Sequence, residues 1–157
     1  MLTDMITYQR SKYNDPNFME LVRQLDEDLK NRYKSYQEKF TALNKLDAAV
    51  KVILAYDGSD AIACGAIRPM KEAHTIELKR MFVQAAYRGR GIGKQVLQML
   101  EEWAAEESYT IIRLETGKNQ PEAIALYQKY GYRDTEPYGE YKNIEEAICM
   151  EKTVATT

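Results

Sequence analysis

From Leu78 to Leu100 the chain carries five basic side chains and no acidic one, and at the centre of that run stands Arg88-Gly89-Arg90-Gly91-Ile92-Gly93-Lys94. A segment of strand character, Glu77 to Val83, leads into this loop, and an amphipathic helical stretch from about Ile92 to Glu107 leads out of it. Alternating glycines let the backbone turn tightly and bring several N–H groups to one ligand at the positive end of a helix dipole. Strand, glycine loop and helix in that order make an anion site, and a diphosphate is its natural guest. Two other glycine loops do not fit. A P-loop needs glycine where Arg88 stands and Ser or Thr where Gln95 stands, and a dinucleotide fingerprint starting at Gly89 needs glycine where Lys94 stands.

The net charge of the whole chain is −2, so the positive charge is local. Such a cluster suits a compact polyanion better than a duplex, and no nucleic-acid partner is expected. The 157 residues fit a single domain, 1–157, long enough to bury a core. Hydrophobic residues at 45% and charged residues at 29% describe a soluble globular protein. No apolar run approaches the roughly 20 residues of a membrane span, so no membrane partner is expected. Met1 to Met5 lacks the basic start and apolar core of a signal peptide, and Cys64 and Cys149 make no disulfide framework. A reducing, cytoplasmic setting is the expectation. No metal site is expected either, because the glutamates of the helix after the loop lack His and Cys partners at ligand spacing.

Taken in order, residues 1 to 9 read as a first strand, with Met5 to Tyr8 at its heart, followed by a turn, and Asp15-Pro16 as the N-cap and first position of a helix. Phe18, Leu21, Val22, Leu25 and Leu29 mark that helix's buried face. A second helical piece is predicted from about Tyr33 to Leu43. Val50 to Tyr56 and Ala61 to Ile67 read as two strands joined by a tight turn at Asp57-Gly58-Ser59-Asp60. A longer strand, His74 to Gln84, delivers the chain to the glycine loop, with the only histidine, His74, expected at the surface. After the basic loop and its helix, Thr110 to Thr116 is a strand, parallel to the one before the loop by the strand-helix-strand rule. Pro121 opens a short helix that ends at Tyr130-Gly131, and Tyr132 to Thr135 and Ala147 to Lys152 complete the strands.

Arg88-x-x-Gly91-x-Gly93, after a strand and ahead of an amphipathic helix, resembles the acyl-CoA motif of the GNAT superfamily of N-acetyltransferases. Gln120-Pro121-Glu122-Ala123-Ile124-Ala125-Leu126-Tyr127-Gln128-Lys129-Tyr130-Gly131-Tyr132 is similar to that family's Asn-x-x-Ala-x-x-Leu-Tyr-x-x-x-Gly-Phe/Tyr helix, with Gln120 in place of the asparagine. The resemblance covers most of the chain from His74 to Lys152. It implies an α/β fold of three layers, with a mixed sheet of six or seven strands splayed between the fourth and fifth and about four helices.

The resemblance also implies acetyl-CoA as cofactor. Its arm would lie along Met81, Phe82 and Val83, its pyrophosphate over Arg88, Gly89, Arg90, Gly91, Ile92, Gly93 and Lys94, with Asn119 and Gln120 beside the arm. Six strand steps back from Val83 to Glu77 span ~20 Å, which brings a thioester near Glu77. Glu77 sits where one branch of the family has its general base, and the alternative for it is a structural ion pair with Lys79 or a neighbouring base. Tyr127 matches the tyrosine that faces the thioester sulfur and protonates the leaving thiolate, the alternative being an ordinary core tyrosine. The implied reaction is direct transfer to a primary amine of a small molecule in a ternary complex. An amino-carboxylate acceptor is one expectation, held by Lys79 or Arg80, which alternate in sign of face along a strand, and closed over by Tyr36, Tyr138 and Tyr141. A protein N-terminal or lysine acetyltransferase and a non-catalytic CoA sensor are the alternatives. The chain is expected to be a monomer or a homodimer.

Overall fold

The structure, a computed structural model, describes residues 5–33 and 46–154. Its elements are β1 (Ile6–Lys12), α1 (Pro16–Arg32), β2 (Lys51–Asp57), β3 (Asp60–Pro69), β4 (Thr75–Val83), α2 (Ile92–Glu106), β5 (Ile111–Gly117), α3 (Pro121–Lys129), β6 (Arg133–Thr135) and β7 (Ala147–Thr153). The seven strands form one mixed sheet in the order β1-β2-β3-β4-β5-β7-β6. Every neighbouring pair is antiparallel except β4 and β5.

Three α-helices lie among the described residues, where about four were expected. Most of the predicted second helix, Tyr36 included, lies outside the described residues. Tyr33, where that helix was to begin, is instead the extended C-cap of α1. The first strand also differs, running to Lys12 rather than giving way to a turn after residue 9. It pairs with β2 along its whole length, but at the edge of the sheet its second half, Gln9-Arg10-Ser11-Lys12, is too polar to show strand alternation.

Local rules account for α1. The Asp15 carboxylate accepts the Asn17 N–H at 2.8 Å, which satisfies one of the helix's free donors, and Pro16 follows at the first position. Phe18, Leu21, Val22 and Leu25 then pack onto one face of the sheet against Val52, Leu54, Cys64, Ala66 and Phe82. The opposite face takes Val96, Leu97 and Leu100 of α2 against Ile53, Ile67, Ile76, Leu78, Ile112 and Leu114. The sheet is therefore covered on both sides, and the alternation of side chains along each strand decides which helix each residue meets.

Two irregularities in β4 prepare the site. It pairs with β5 only from Thr75 to Leu78, so Lys79 to Val83 have lost β5, which is the expected splay between the fourth and fifth strands. On the other side, Ala66 opposes Lys79 and Cys64 opposes Phe82, so Arg80 and Met81 together face Gly65 across a β-bulge. Arg80 takes the left-handed conformation there, φ +58°. The extra residue resets the alternation: Ile76 and Leu78 join the α2-side core, while beyond the bulge it is Met81 and Val83 that do so and Phe82 that turns toward α1.

Candidate active site

The second half of β4, the loop after it, the first turn of α2 and one face of α3 enclose a groove of about 350 Å³. A one-turn 3-10 helix, Ala85–Tyr87, carries the chain from β4 into the glycines. Gly89 and Gly91 hold φ of +79° and +78°, a region costly for any residue with a Cβ, and Gly91 is the N-cap of α2. Gly93 is different: a Cβ there would meet Val83 Cγ2 at 3.5 Å and Leu126 Cδ2 at 3.8 Å, which is ordinary contact. The first N–H groups of α2 have no acceptor within their own helix, and its first turn carries no acid to compete for them.

The basic side chains are placed around this turn by specific contacts. The Arg88 Nε–H donates to the Val83 carbonyl at 2.9 Å, folding the guanidinium over the end of β4. Arg90 lies 5.1 Å from the Tyr87 ring centroid, and the Lys94 ammonium 5.6 Å from that of Tyr130. Of the twelve residues expected at the cofactor, all but Arg90 and Asn119 line the groove. The Asn119 amide is turned instead to α1, where it donates to the Arg32 carbonyl at 3.0 Å.

A narrower pocket adjoins the groove on the Glu77 side, walled by Glu77, Lys79, Glu115 and Tyr141, and Tyr127 lines both spaces. Both oxygens of Glu77 are engaged. Lys79 Nζ lies 3.3 Å from Oε1, and the Tyr138 hydroxyl donates to Oε2 at 2.8 Å. Tyr138 meets Tyr141 edge-on, with ring centroids 5.4 Å apart, so the segment carrying the short 3-10 helix Gly139–Asn143 roofs this end of the pocket. Tyr127 is buried, with its ring edge-on to Tyr132 at 5.7 Å. Burial raises the pKa of its hydroxyl, and the nearby Glu115 carboxylate raises it further. The phenol therefore stays protonated at neutral pH.

These features coincide with what similarity to known proteins reports. Residues 15–132 match the acetyltransferase (GNAT) family. The chain belongs to the GNAT acetyltransferase family. It is 32% identical over 148 residues to an IAA acetyltransferase of Azospirillum brasilense, a match covering 94% of this chain and 97% of that one. Among solved structures, a Klebsiella pneumoniae chain classed with the acyl-CoA N-acyltransferases superposes with a TM-score of 0.79 at 28% identity, covering 96% of this chain and 98% of that chain. A GNAT family acetyltransferase from Elizabethkingia anophelis, solved with acetyl-CoA bound, shares the fold at a TM-score of 0.68 and 21% identity, over 97% of this chain and 100% of that chain. Acetyl transfer from acetyl-CoA is the chemistry of this GNAT acetyltransferase family.

Within the GNAT chain, the placement of Lys79 and Arg80 differs from the expectation for the acceptor pocket, and the Gln120 side chain is engaged by the protein itself. Lys79 and Arg80 were expected on opposite faces of β4, but the bulge turns Arg80 to the α1 side that Lys79 already faces, so Lys79 meets Glu77 and Arg80 Nη1 meets Asp26 of α1 at 2.8 Å. Among the described residues each is thus already paired with a carboxylate. Gln120, in the asparagine position of the family motif, turns its Oε1 inward to the Gly117 N–H at 3.2 Å and the Tyr33 hydroxyl at 3.3 Å. That oxygen organises the loop after β5.

Glu115 is the residue that sequence reasoning missed. It sits on β5 on the face away from Ile112 and Leu114, half-buried, with its carboxyl in the wall of the pocket. Burial pushes the carboxyl up to about 7; the Lys79 ammonium pulls it down and the Glu77 charge raises it. The signal was available in the parallel pairing. Once β4 and β5 run side by side with Leu78 opposite Leu114, Glu77 and Glu115 fall on one face of neighbouring strands. The thiols are unlike this carboxyl: burial pushes Cys64 up to about 12 and Cys149 up to about 11, so neither is a thiolate near neutrality. His74 is exposed just ahead of β4.

Proposed function

We propose that this enzyme moves an acetyl group from acetyl-CoA to a primary amine of a small molecule within one ternary complex. The observation that carries the reading is that Tyr127 stands at the junction of a basic, glycine-turned groove and an acidic pocket, lining both. The groove fits a nucleotide diphosphate with an extended arm. Left-handed glycines with no neighbour in the Cβ direction leave the loop backbone open, and Lys79 to Val83 lack a β5 partner.

Bound acetyl-CoA supplies the activated acetyl thioester. Arg88 and Lys94, with the N–H groups from Gly89 to Lys94, hold the pyrophosphate. The Met81 to Val83 backbone holds the arm through groups that point away from β3. Tyr127, kept protonated by burial, donates to the departing sulfur. An acceptor arrives as an ammonium, and the carboxylates of the pocket both attract it and remove its proton, because only the neutral amine is a nucleophile.

A small acceptor is supported over a protein chain by the roof that Tyr138 and Tyr141 make over Glu77. An amino-carboxylate acceptor has less support, since the ion pairs of Lys79 with Glu77 and of Arg80 with Asp26 already occupy the cations meant for its carboxylate. A simple cationic amine suits the pocket better. A reducing compartment suits the two buried free cysteines. The test is a panel of amines, amino acids and peptides with acetyl-CoA, following thiol release. Release with small amines is expected, and release with peptides alone would move the reading to a protein acetyltransferase. CoA binding without release by any acceptor would leave a sensor.

A further inference from the structure

We propose that Glu115, rather than Glu77, takes the proton from the acceptor ammonium, and that Glu77 is a positioning residue that holds Lys79 against it. The assignment rests on the acetyl-transfer reading and follows from how the two carboxylates are engaged. Glu77 has Lys79 on one oxygen at 3.3 Å and the Tyr138 hydroxyl on the other at 2.8 Å. Each oxygen keeps a second lone pair, but a proton placed on either would weaken the Lys79 ion pair and the Tyr138 hydrogen bond that Glu77 already holds. The Glu115 side chain makes no hydrogen bond or ion pair among the described residues, and its carboxyl opens onto the same pocket. Of the two, it is the one whose oxygens are both unengaged by donors among the described residues.

The groups that surround Glu115 come from every element packed against it. Glu77 and Lys79 face it from β4, and its charge is felt by Tyr33 at the end of α1, Tyr127 on α3, Tyr141 in the roof and Cys149 on β7. The only cation in that set is Lys79. Phenols and a thiol that stay neutral give Glu115 a poorly solvated setting, and Lys79 keeps it from becoming a permanently protonated acid. A carboxyl balanced near neutrality is what a base for an ammonium requires, because it is ionised in a good share of molecules and binds a proton strongly enough to hold it. In the step, an N–H proton passes to a Glu115 oxygen, the freed lone pair forms the bond to the acetyl carbon, the carbon–sulfur bond breaks, and the sulfur takes the Tyr127 proton. The nitrogen, positively charged after the attack, gives up its second N–H proton, which restores the Tyr127 hydroxyl through solvent, and Glu115 releases its proton to solvent.

The proposal is tested first without turnover, by 13C NMR titration of the glutamate carboxyls in the intact chain, assigned through the backbone. A carboxyl titrating near neutrality is expected at Glu115, moved to lower pH in Glu77→Gln and to higher pH in Lys79→Met. Titration of Glu115 together with the surface glutamates, or a near-neutral titration found at Glu77, overturns it. The second arm follows thiol release from acetyl-CoA with ethylamine as the acceptor. Glu115→Gln should lower the rate about a hundredfold at neutral pH, with the loss shrinking as pH rises and the free amine appears unaided. Glu77→Gln should cost less and shift the acid limb of the profile to lower pH. Equal rates for wild type and Glu115→Gln sink the Glu115 role while leaving acetyl transfer intact. Absence of release by the wild type with every amine, despite a near-neutral Glu115, removes the acetyl-transfer reading and the base role with it.

Discussion

The hydroxyl of Tyr33 stands in the space that a Cβ on Gly117 would need. From there it accepts the Asn119 N–H at 3.0 Å and donates to Gln120 Oε1 at 3.3 Å, so the end of α1 is fastened to the loop that starts α3. Gly117→Ala should expel the ring and lower stability by ~1–3 kcal/mol, the range for overfilling a packed site. Tyr33→Phe keeps the ring and should cost only ~1 kcal/mol for the lost hydrogen bonds. Chemical denaturation of the two variants checks the order; an alanine variant as stable as wild type would contradict it.

Gly91 and Gly93 should respond differently to substitution. Gly91→Val forces a β-branched residue into a left-handed conformation at the N-cap of α2, a strain of ~1–3 kcal/mol, and crowds the anion seat. CoA affinity measured by calorimetry should fall at least tenfold. Gly93→Ala meets only ordinary contacts and should fold as wild type, so any loss of CoA affinity there reports crowding of the ligand alone.

Tyr127→Phe removes one hydroxyl at the junction of groove and pocket and leaves the ring packed on Tyr132. Thiol release should slow by roughly a hundredfold, the scale of general acid catalysis, with the melting temperature nearly unchanged. Equal rates in the two proteins would return Tyr127 to the core.

Glu115 also links stability to pH. Its folded carboxyl is raised from 4.5 to about 7, so the native state binds the proton more tightly than the unfolded chain. The stabilisation from this group is complete below about 4.5 and is lost as pH rises through about 7. Glu115→Gln should therefore gain on wild type in urea midpoint as pH increases across that window, and parallel curves would show that the carboxyl is not raised.

On the α2 side of the sheet, Gly65 faces the bulge with no room for a side chain: a Cβ would approach Leu100 Cδ1 at 2.8 Å and Val96 Cγ1 at 2.9 Å. Gly65→Ala should push α2 outward and destabilise by ~1–3 kcal/mol. Because α2 also carries the glycine loop, CoA affinity should weaken in the same variant, as calorimetry on folded protein would record.

What could be read in the sequence was what local chemistry fixes. Asp15-Pro16, the glycines after Val83 and the Pro121 to Gly131 helix each act within a few residues, and each lies where it was expected. The second half of β1 escaped because an edge strand needs no apolar alternation, and its partner β2 is distant in the chain. Arg80 escaped because an arginine gives no warning of a left-handed backbone. Glu115 escaped because a glutamate in an alternating strand looks solvent-facing until the neighbouring strand, the roof and α3 are assembled around it.

The bulge at Arg80 makes the number of residues in β4 matter more than their kinds. Straightening the bulge with Arg80 kept would shift the downstream half by one step and exchange its two faces, whereas removing Arg80 itself would restore one-to-one pairing and keep them. In the straightened strand with Arg80 kept, Phe82 would leave the α1-side core, and Met81 and Val83 would leave the α2 side. The strand thus works as two rulers joined out of phase, one fixing the carboxylates against β5 and the other fixing the groove against α2. Substitutions can tune either half alone, whereas loss of the bulge with Arg80 still in the strand would uncouple the groove half from the helices that cover it.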